Sequence, residues 1–339
     1  MRVAPGIDWL RMPLPFALDH INLWRISDHH NQQWTLVDTG IDLPDVRNHW
    51  QNLLAQYPAL THIIVTHCHP DHLGLAQWLI EQTGVPVSMS LSEYLTACAW
   101  HEAIPTYNGQ AMVEVFRQHG LDATHCQALL TRGNQYRKGV PSLPTHFHRL
   151  LDQQTLQIQG RTWRTIAGYG HSPEHMALYC AELGVLISGD MLLPRISTNI
   201  AATTINPESD AVTLYLDSLD KFANLPPDTL VLPSHGRPFR GLHARIAQLK
   251  AHHAERCDAL VAACTEPRNA GELLSTLFPR SLDTHQVMFA MGEAIAHLNH
   301  LAQTGRVVRQ PATTTQQTIR FIAAHASSTT TTTTVATAR

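Results

Sequence analysis

Short runs of alternating apolar and polar residues fill the first 90 positions. Ile7 to Met12, Ile21 to Arg25 and Trp34 to Val37 are β-rich and bounded by Pro, Asp, Asn or Gly, which predicts strands of a hairpin or meander. Pro44 marks the first turn of a helix of about ten residues. Thr61 to Val65 is a short apolar run of the buried-strand kind. His72 to Gln82 is amphipathic at helical spacing, and Val85 to Met89 is a further strand. Strand, helix, strand at this spacing is the logic of a layered α/β domain.

From Leu91 to about Leu150 the strand signals vanish. Ser92 to Glu102 and Gly109 to His119 are helical patches, and Gly133, Gly139, Pro141 and Pro144 mark loop, so 91–150 is expected to be a helical insertion. Strands resume with Thr155 to Ile158 and Arg161 to Ile166 about a Gln159-Gly160 turn, then Met176 to Cys180, Gly184 to Ser188 and Thr229 to Pro233. Further on, His252 to Cys264, Glu272 to Phe278 and Leu282 to Ala302 predict helices. Asn269 and Glu272 have capping-box spacing, and Gly305 closes the last helix. Val307 to Arg309 and Thr318 to Ile322 can pair as a hairpin. The organisation expected is a layered α/β domain over 1–248, a mostly helical region over 249–323 and a Thr-rich disordered tail over 324–339.

Composition narrows the function classes. The 339 residues carry a formal net charge of -3 and only 15 % charged residues, which argues against a polyanion-binding chain. No apolar stretch approaches a membrane span, no signal-peptide pattern opens the chain, and six scattered cysteines show no disulfide-scaffold spacing. The expected compartment is the cytoplasm. One count stands out: 23 His against 24 Lys plus Arg. Histidine is the commonest metal ligand.

Position identifies which histidines matter. Thr66-His67-Cys68-His69-Pro70-Asp71-His72 follows a predicted buried strand. Alternation along an extended loop sends His67 and His69 to one side, and Asp71 and His72 follow where the chain turns into a helix. Pro70 fixes φ there and stiffens the turn. One loop can therefore offer ligands to two adjacent metal positions, and Cys68 is expected to point into the core.

This segment resembles the H-x-H-x-D-H motif of the metallo-β-lactamase superfamily. Downstream, Gly170-His171-Ser172-Pro173-Glu174-His175 resembles the family's G-H-T-P-G-H segment, and Ser188-Gly189-Asp190 resembles the strand end with a bridging aspartate. Ser234-His235-Gly236 resembles the last metal histidine, and Asp38-Thr39-Gly40 the early D-T-G turn. Glu174 replaces a frequent Gly. The resemblance implies a four-layer αββα fold of two facing mixed sheets flanked by helices. It implies that His67, His69 and His171 hold one divalent metal, that Asp71, His72 and His235 hold a second, and that Asp190 bridges them. Zinc is the expected metal, with iron or manganese as alternatives. Asp71 and Asp190 are then the catalytic carboxylates around a metal-bridging hydroxide that attacks a polarised carbonyl. Asp38 and His175 are expected behind the ligands. His69 stands where flavodiiron relatives carry Glu, and no flavin-binding pattern follows, so hydrolysis is favoured.

The motif style resembles the glyoxalase II-like branch, implying a small-molecule thioester or ester: an acyl-CoA, a glutathione thioester or a lactone. Trp100, Tyr107, Met112, Phe116 and Tyr136 in the insertion suit an apolar wall, and Arg195 is the cation expected near substrate. Two alternatives come from the same superfamily, an endoribonuclease or phosphodiesterase and a mononuclear iron persulfide dioxygenase. The three C-terminal helices and hairpin resemble the winged helix of proteins related to human lactamase-β-like endoribonuclease. However, residues 240–309 hold eight Lys/Arg against six Asp/Glu, which is no basic stripe. Those helices are expected to cover the core or form a homodimer contact rather than bind nucleic acid.

Overall fold

A computed structural model describes residues 1–324 except 17, 29, 31 and 314–316; the expected Thr-rich tail lies outside the described residues from 325 onward. The first sheet has seven strands in sequence order: β1 (Arg2–Ala4), β2 (Ile7–Pro13), β3 (His20–Ser27), β4 (Trp34–Val37), β5 (Leu60–Ile64), β6 (Val87–Ser90) and β7 (His148–Leu150). It starts as an antiparallel meander and becomes parallel from β4 onward. The helices that make those crossovers are α1 (Pro44–Gln56), the single turn α2 (Pro70–Leu73) and α3 (Ala76–Thr83). The second sheet holds β8 (Thr155–Ile158), β9 (Arg161–Gly168), β10 (His175–Cys180) and β11 (Val185–Gly189) as antiparallel neighbours. β12 (Leu230–Pro233) adds to it in parallel after α8 (Ala211–Ala223).

Side-chain alternation assigns the two faces of each strand. Val37, Ile64, Met176, Leu178 and Ile187 share one core between the sheets. Leu36 and Ile63, one residue earlier in their strands, face the outer layer with Val46 and Trp50 of α1 and Leu79 of α3. Leu186 and Val231 likewise meet Tyr215, Leu219 and Phe222 of α8. Each such buried side chain contributes about 1.5–3 kcal/mol. The result is the expected αββα stack.

Four short helices form the insertion, each started by a side-chain cap. They are α4 (Leu91–His101) after Ser90, α5 (Gly109–Gln118) after Asn108, α6 (Ala123–Thr131) after Asp122 and α7 (Gln135–Gly139) after Asn134. The insertion ends before 150, because 148–150 is strand β7 pairing with β6. Its helices divide between two cores. Ala97 and Val140 pack on the outer face of the first sheet, whereas Val113, Phe116 and Leu129 pack with Leu260, Ile295 and Leu298 of the C-terminal region. That region comprises α9 (Leu242–Ala263), α10 (Leu274–Leu277), α11 (Thr284–Gln303) and the hairpin of β13 (Val307–Gln310) and β14 (Arg320–Ala323).

Several elements differ from expectation. The helix read over His72 to Gln82 is split, with Gly74 at the break. A Cβ there would stand 2.4 Å from the Pro70 carbonyl, 2.5 Å from that of Gly139 and 2.7 Å from that of Gly40. The helix α9 starts at Leu242 rather than His252. The Asn269–Glu272 capping pair is present, but the helix behind it, α10, has only four residues. Helices α6, α7 and α8 were not anticipated.

Two tests follow from this packing. Gly74→Ala is expected to lower stability by about 3 kcal/mol, since three backbone oxygens cannot yield as side chains do; an unchanged Tm contradicts this. The second concerns His253 of α9 and His297 of α11, fully buried with Nδ1 and Nε2 3.1 Å apart. Burial first, then the neighbouring cations, press them down to about 3 and about 4. Above their ordinary value of 6.5 both states are neutral. As pH falls toward 4 the unfolded chain gains protons that the native pair refuses, so stability is lost. His297→Gln is therefore expected to flatten the fall in Tm between pH 6.5 and 4.5, and an unaltered slope contradicts the assignment.

Candidate metal centre

The site lies where strands β4, β5, β9, β11 and β12 end, all at one rim of the two facing sheets. The loop after β5 brings His67 and His69, and α2 brings Asp71 and His72. The turn after β9 brings His171, the end of β11 brings Asp190, and the end of β12 brings His235. Three groups offer ligand atoms that lie within 4.8 Å of one another: His67, His69 and His171; His67, His72 and Asp190; and Asp71, His72 and His235. Asp190 stands between the outer two groups. Its Oδ2 is 3.4 Å from His171 Nε2, and its Oδ1 is 3.6 Å from His72 Nε2 and 3.5 Å from His235 Nε2. Asp71 Oδ2 lies 3.7 Å from His72 Nε2 and 3.4 Å from His235 Nε2.

Hydrogen bonds behind the rings decide which nitrogen faces inward. His72 Nδ1 donates to Asp38 Oδ2 at 2.8 Å. His171 Nδ1 donates to the Asn199 carbonyl and His235 Nδ1 to the His20 carbonyl, each at 2.8 Å. In all three the Nε2 lone pair is left for the centre. Asp38 is buried at a positive φ of 61° and also accepts from the Thr66 backbone N–H at 2.8 Å. His175 is in none of the three groups, although its ring lies 4.9 Å from that of His67. Its Nε2 accepts the Asp190 backbone N–H at 3.2 Å, and Gly189 leaves room for the ring, since a Cβ there would meet it at 2.1 Å.

The electrostatics are those of a cation site. Burial opposes charge on His72 and His235, yet the facing carboxylates win. Asp38, Asp71 and Asp190 push His72 up to about 9, and Asp190 and Asp71 push His235 well above its ordinary value. Asp71 is held at about 2 and Asp190 well below the carboxylate range, because the imidazoles outweigh their burial. His67 and His69, buried among other imidazoles, are driven down, His69 to about 3. Buried His72 Nε2 and Asp190 Oδ1 have no hydrogen-bond partner, a cost that a bound cation removes. Imidazole and carboxylate in this mixture suit zinc, iron or manganese.

The sequence reading missed the residue that ties the two ligand loops together. Glu93 is fully buried and accepts from Cys68 N at 2.9 Å, Ser172 Oγ at 2.6 Å and Glu174 N at 2.7 Å. In sequence, Ser90-x-x-Glu93 has the spacing of a capping box, which hides this role. Ser90 does cap α4, but the Glu93 carboxylate is turned to the metal loops. Trp100 stacks on His69 with ring centres 6.0 Å apart, and Tyr107 lies 6.3 Å beyond it. Tyr136 donates to the Cys68 carbonyl at 2.6 Å. Met112 and Phe116, expected in the same wall, pack instead in the C-terminal core. Arg195 is exposed; its loop is held by Arg245, which donates to the Leu193 and Ile196 carbonyls.

Known proteins are similar to this chain. The family described as Metallo-beta-lactamase superfamily matches residues 18–235, and Metallo-beta-lactamase-like, C-terminal domain, matches 257–324. A crystal structure of a Beta-lactamase domain protein from Burkholderia ambifaria is 44 % identical, covers 96 % of this chain and 94 % of its own, and superposes with a TM-score of 0.87. Probable metallo-hydrolase YqjP of Bacillus subtilis is 22 % identical over 86 % of this chain and 91 % of its own. More distant relatives include Hydroxyacylglutathione hydrolase of Erythrobacter litoralis, 24 % identical over 71 % of this chain and 74 % of its own. Atrochrysone carboxyl ACP thioesterase of Aspergillus fumigatus is 20 % identical over 81 % of this chain and 52 % of its own. With a rim of five histidines and two aspartates in the expected order and a family match over most of its length, the chain belongs to the metallo-beta-lactamase superfamily.

Proposed function

We propose that this protein is a dinuclear zinc hydrolase of acyl thioesters, close in chemistry to the glyoxalase II-like branch. The observation that carries the reading is the Asp190 carboxylate, with one oxygen toward His171 and the other toward His72 and His235. On this reading His67, His69 and His171 hold one ion, Asp71, His72 and His235 hold the other, and Asp190 joins them. A metal pair so bound supplies a nucleophile at neutral pH and polarises a carbonyl oxygen.

The chain's own residues do the rest. Asp38, Asn199 and His20 fix the tautomers of His72, His171 and His235. Glu93 locks the two ligand loops to each other, and His175 fixes the backbone of Asp190. Trp100 and Tyr107 form the apolar side of the substrate site, and exposed Arg195 is the cation available to the carrier end of a thioester. Two of the relatives carry names that support a thioester substrate, a thioesterase and a hydroxyacylglutathione hydrolase. All six cysteines are unpaired, in keeping with a reducing cytoplasm.

The test combines metal analysis with a substrate panel of acyl-CoA, glutathione thioester, lactone and phosphodiester. The expected outcome is two zinc ions per chain and thioester cleavage, with kcat reduced on the order of 100-fold or more in Asp190→Ala. A single iron per chain, or phosphodiester cleavage alone, overturns the proposal.

A further inference from the structure

The segment that joins β11 to α8 touches the centre at its start and the C-terminal region along the rest of its length. Thr198 Oγ1 donates to the Asp190 carbonyl at 2.5 Å, and the Asn199 carbonyl accepts from His171 Nδ1. Ala202 then donates to the Gly292 carbonyl of α11 at 3.2 Å. Asn299 Nδ2 donates to the carbonyls of Pro207 and Ser209 at 2.8 and 3.3 Å, and Gln303 Nε2 donates to that of Glu208 at 2.7 Å. His300 Nδ1 lies 3.1 Å from Asp210, the cap of α8, and Arg309 of β13 pairs with the Glu208 carboxylate at 2.8 Å. Residues 203–210 carry no regular structure; besides these bonds from α11 and β13, Thr204 Oγ1 donates to the Thr106 carbonyl of the insertion.

The closeness of helix and segment depends on one residue. Gly292 is buried in the middle of α11, where glycine weakens a helix, and a Cβ there would stand 2.9 Å from the Ala201 Cβ. Helix and segment thus meet at backbone distance, two residues from the carbonyl that orients His171.

We infer that α11 is a positioning splint for the metal centre: it fixes residues 198–210, and they set the ring of His171 and the backbone of Asp190. Gly292 and Asn299 are positioning residues on this account, and the C-terminal region has a task at the site without touching substrate. The inference rests on His171 and Asp190 being metal ligands. Outer partners of metal ligands typically govern affinity by 10–100-fold.

The experiment measures zinc affinity by competition with a chromophoric chelator, with the Tm of the metal-free protein as the control for folding. Gly292→Ala is expected to weaken zinc binding roughly 10-fold while the metal-free Tm holds, since alanine favours the helix. Adding Ala201→Gly, which removes the opposing methyl, is expected to restore it. Asn299→Ala is expected to weaken zinc binding in the same direction. Wild-type affinity in both Gly292→Ala and Asn299→Ala overturns the inference, as does a loss that Ala201→Gly does not recover. A wild-type chain that fails to bind zinc defeats the reading of the centre itself.

Discussion

The structure is organised around a cluster of buried and half-buried carboxylates and imidazoles. Asp38, Asp71 and Asp190 are gathered at one rim with the rings of His67, His69, His72, His171 and His235. Burial penalises every ion in such a cluster, so the carboxylates need positive charge beside them. The facing carboxylates raise the His72 and His235 imidazoles, while His67 and His69, set among other imidazoles, fall. A field that holds a proton so firmly also attracts a divalent cation, and binding one must release the proton.

Much of the fold serves to keep these groups in place. The candidate ligands follow the ends of strands, where a rigid sheet rim brings distant sequence positions together. The loops that carry them are tied back. Glu93 joins 68 to 172 and 174, Asp38 joins 66 to 72, and α11 holds 202–210. Helices α5 and α6 of the insertion share one hydrophobic core with the C-terminal region, whereas α4, which presents Trp100 near the site, packs on the outer face of the first sheet.

The layered α/β class and the cluster of histidines and aspartates at the rim were legible because both begin as local patterns. Alternating apolar residues mark strands such as Trp34–Val37, and H-x-H-x-D-H at a strand end is rare by chance. The supporting groups were not legible, since their partners are distant in sequence. Nothing near Glu93 announces Ser172, and nothing near Asn199 announces His171. The Asp38-Thr39-Gly40 turn was readable only through its family likeness. Helix α8 is a different case. Asp210 caps it, and Ala211, Val212, Tyr215, Leu219 and Phe222 are buried at helical spacing, so its signal was present in the sequence. The wall predicted from Met112 and Phe116 failed because apolar side chains at helical spacing do not say which of two cores they face.

The central claim is that the Asp190 carboxylate lies between two metal positions. Anomalous diffraction from crystals of the zinc-loaded protein, collected on both sides of the zinc edge, tests it most directly. The account predicts two peaks, one among His67, His69 and His171 and the other among Asp71, His72 and His235, with an Asp190 oxygen toward each. A single peak, or a pair that leaves Asp190 without contact to either, contradicts it.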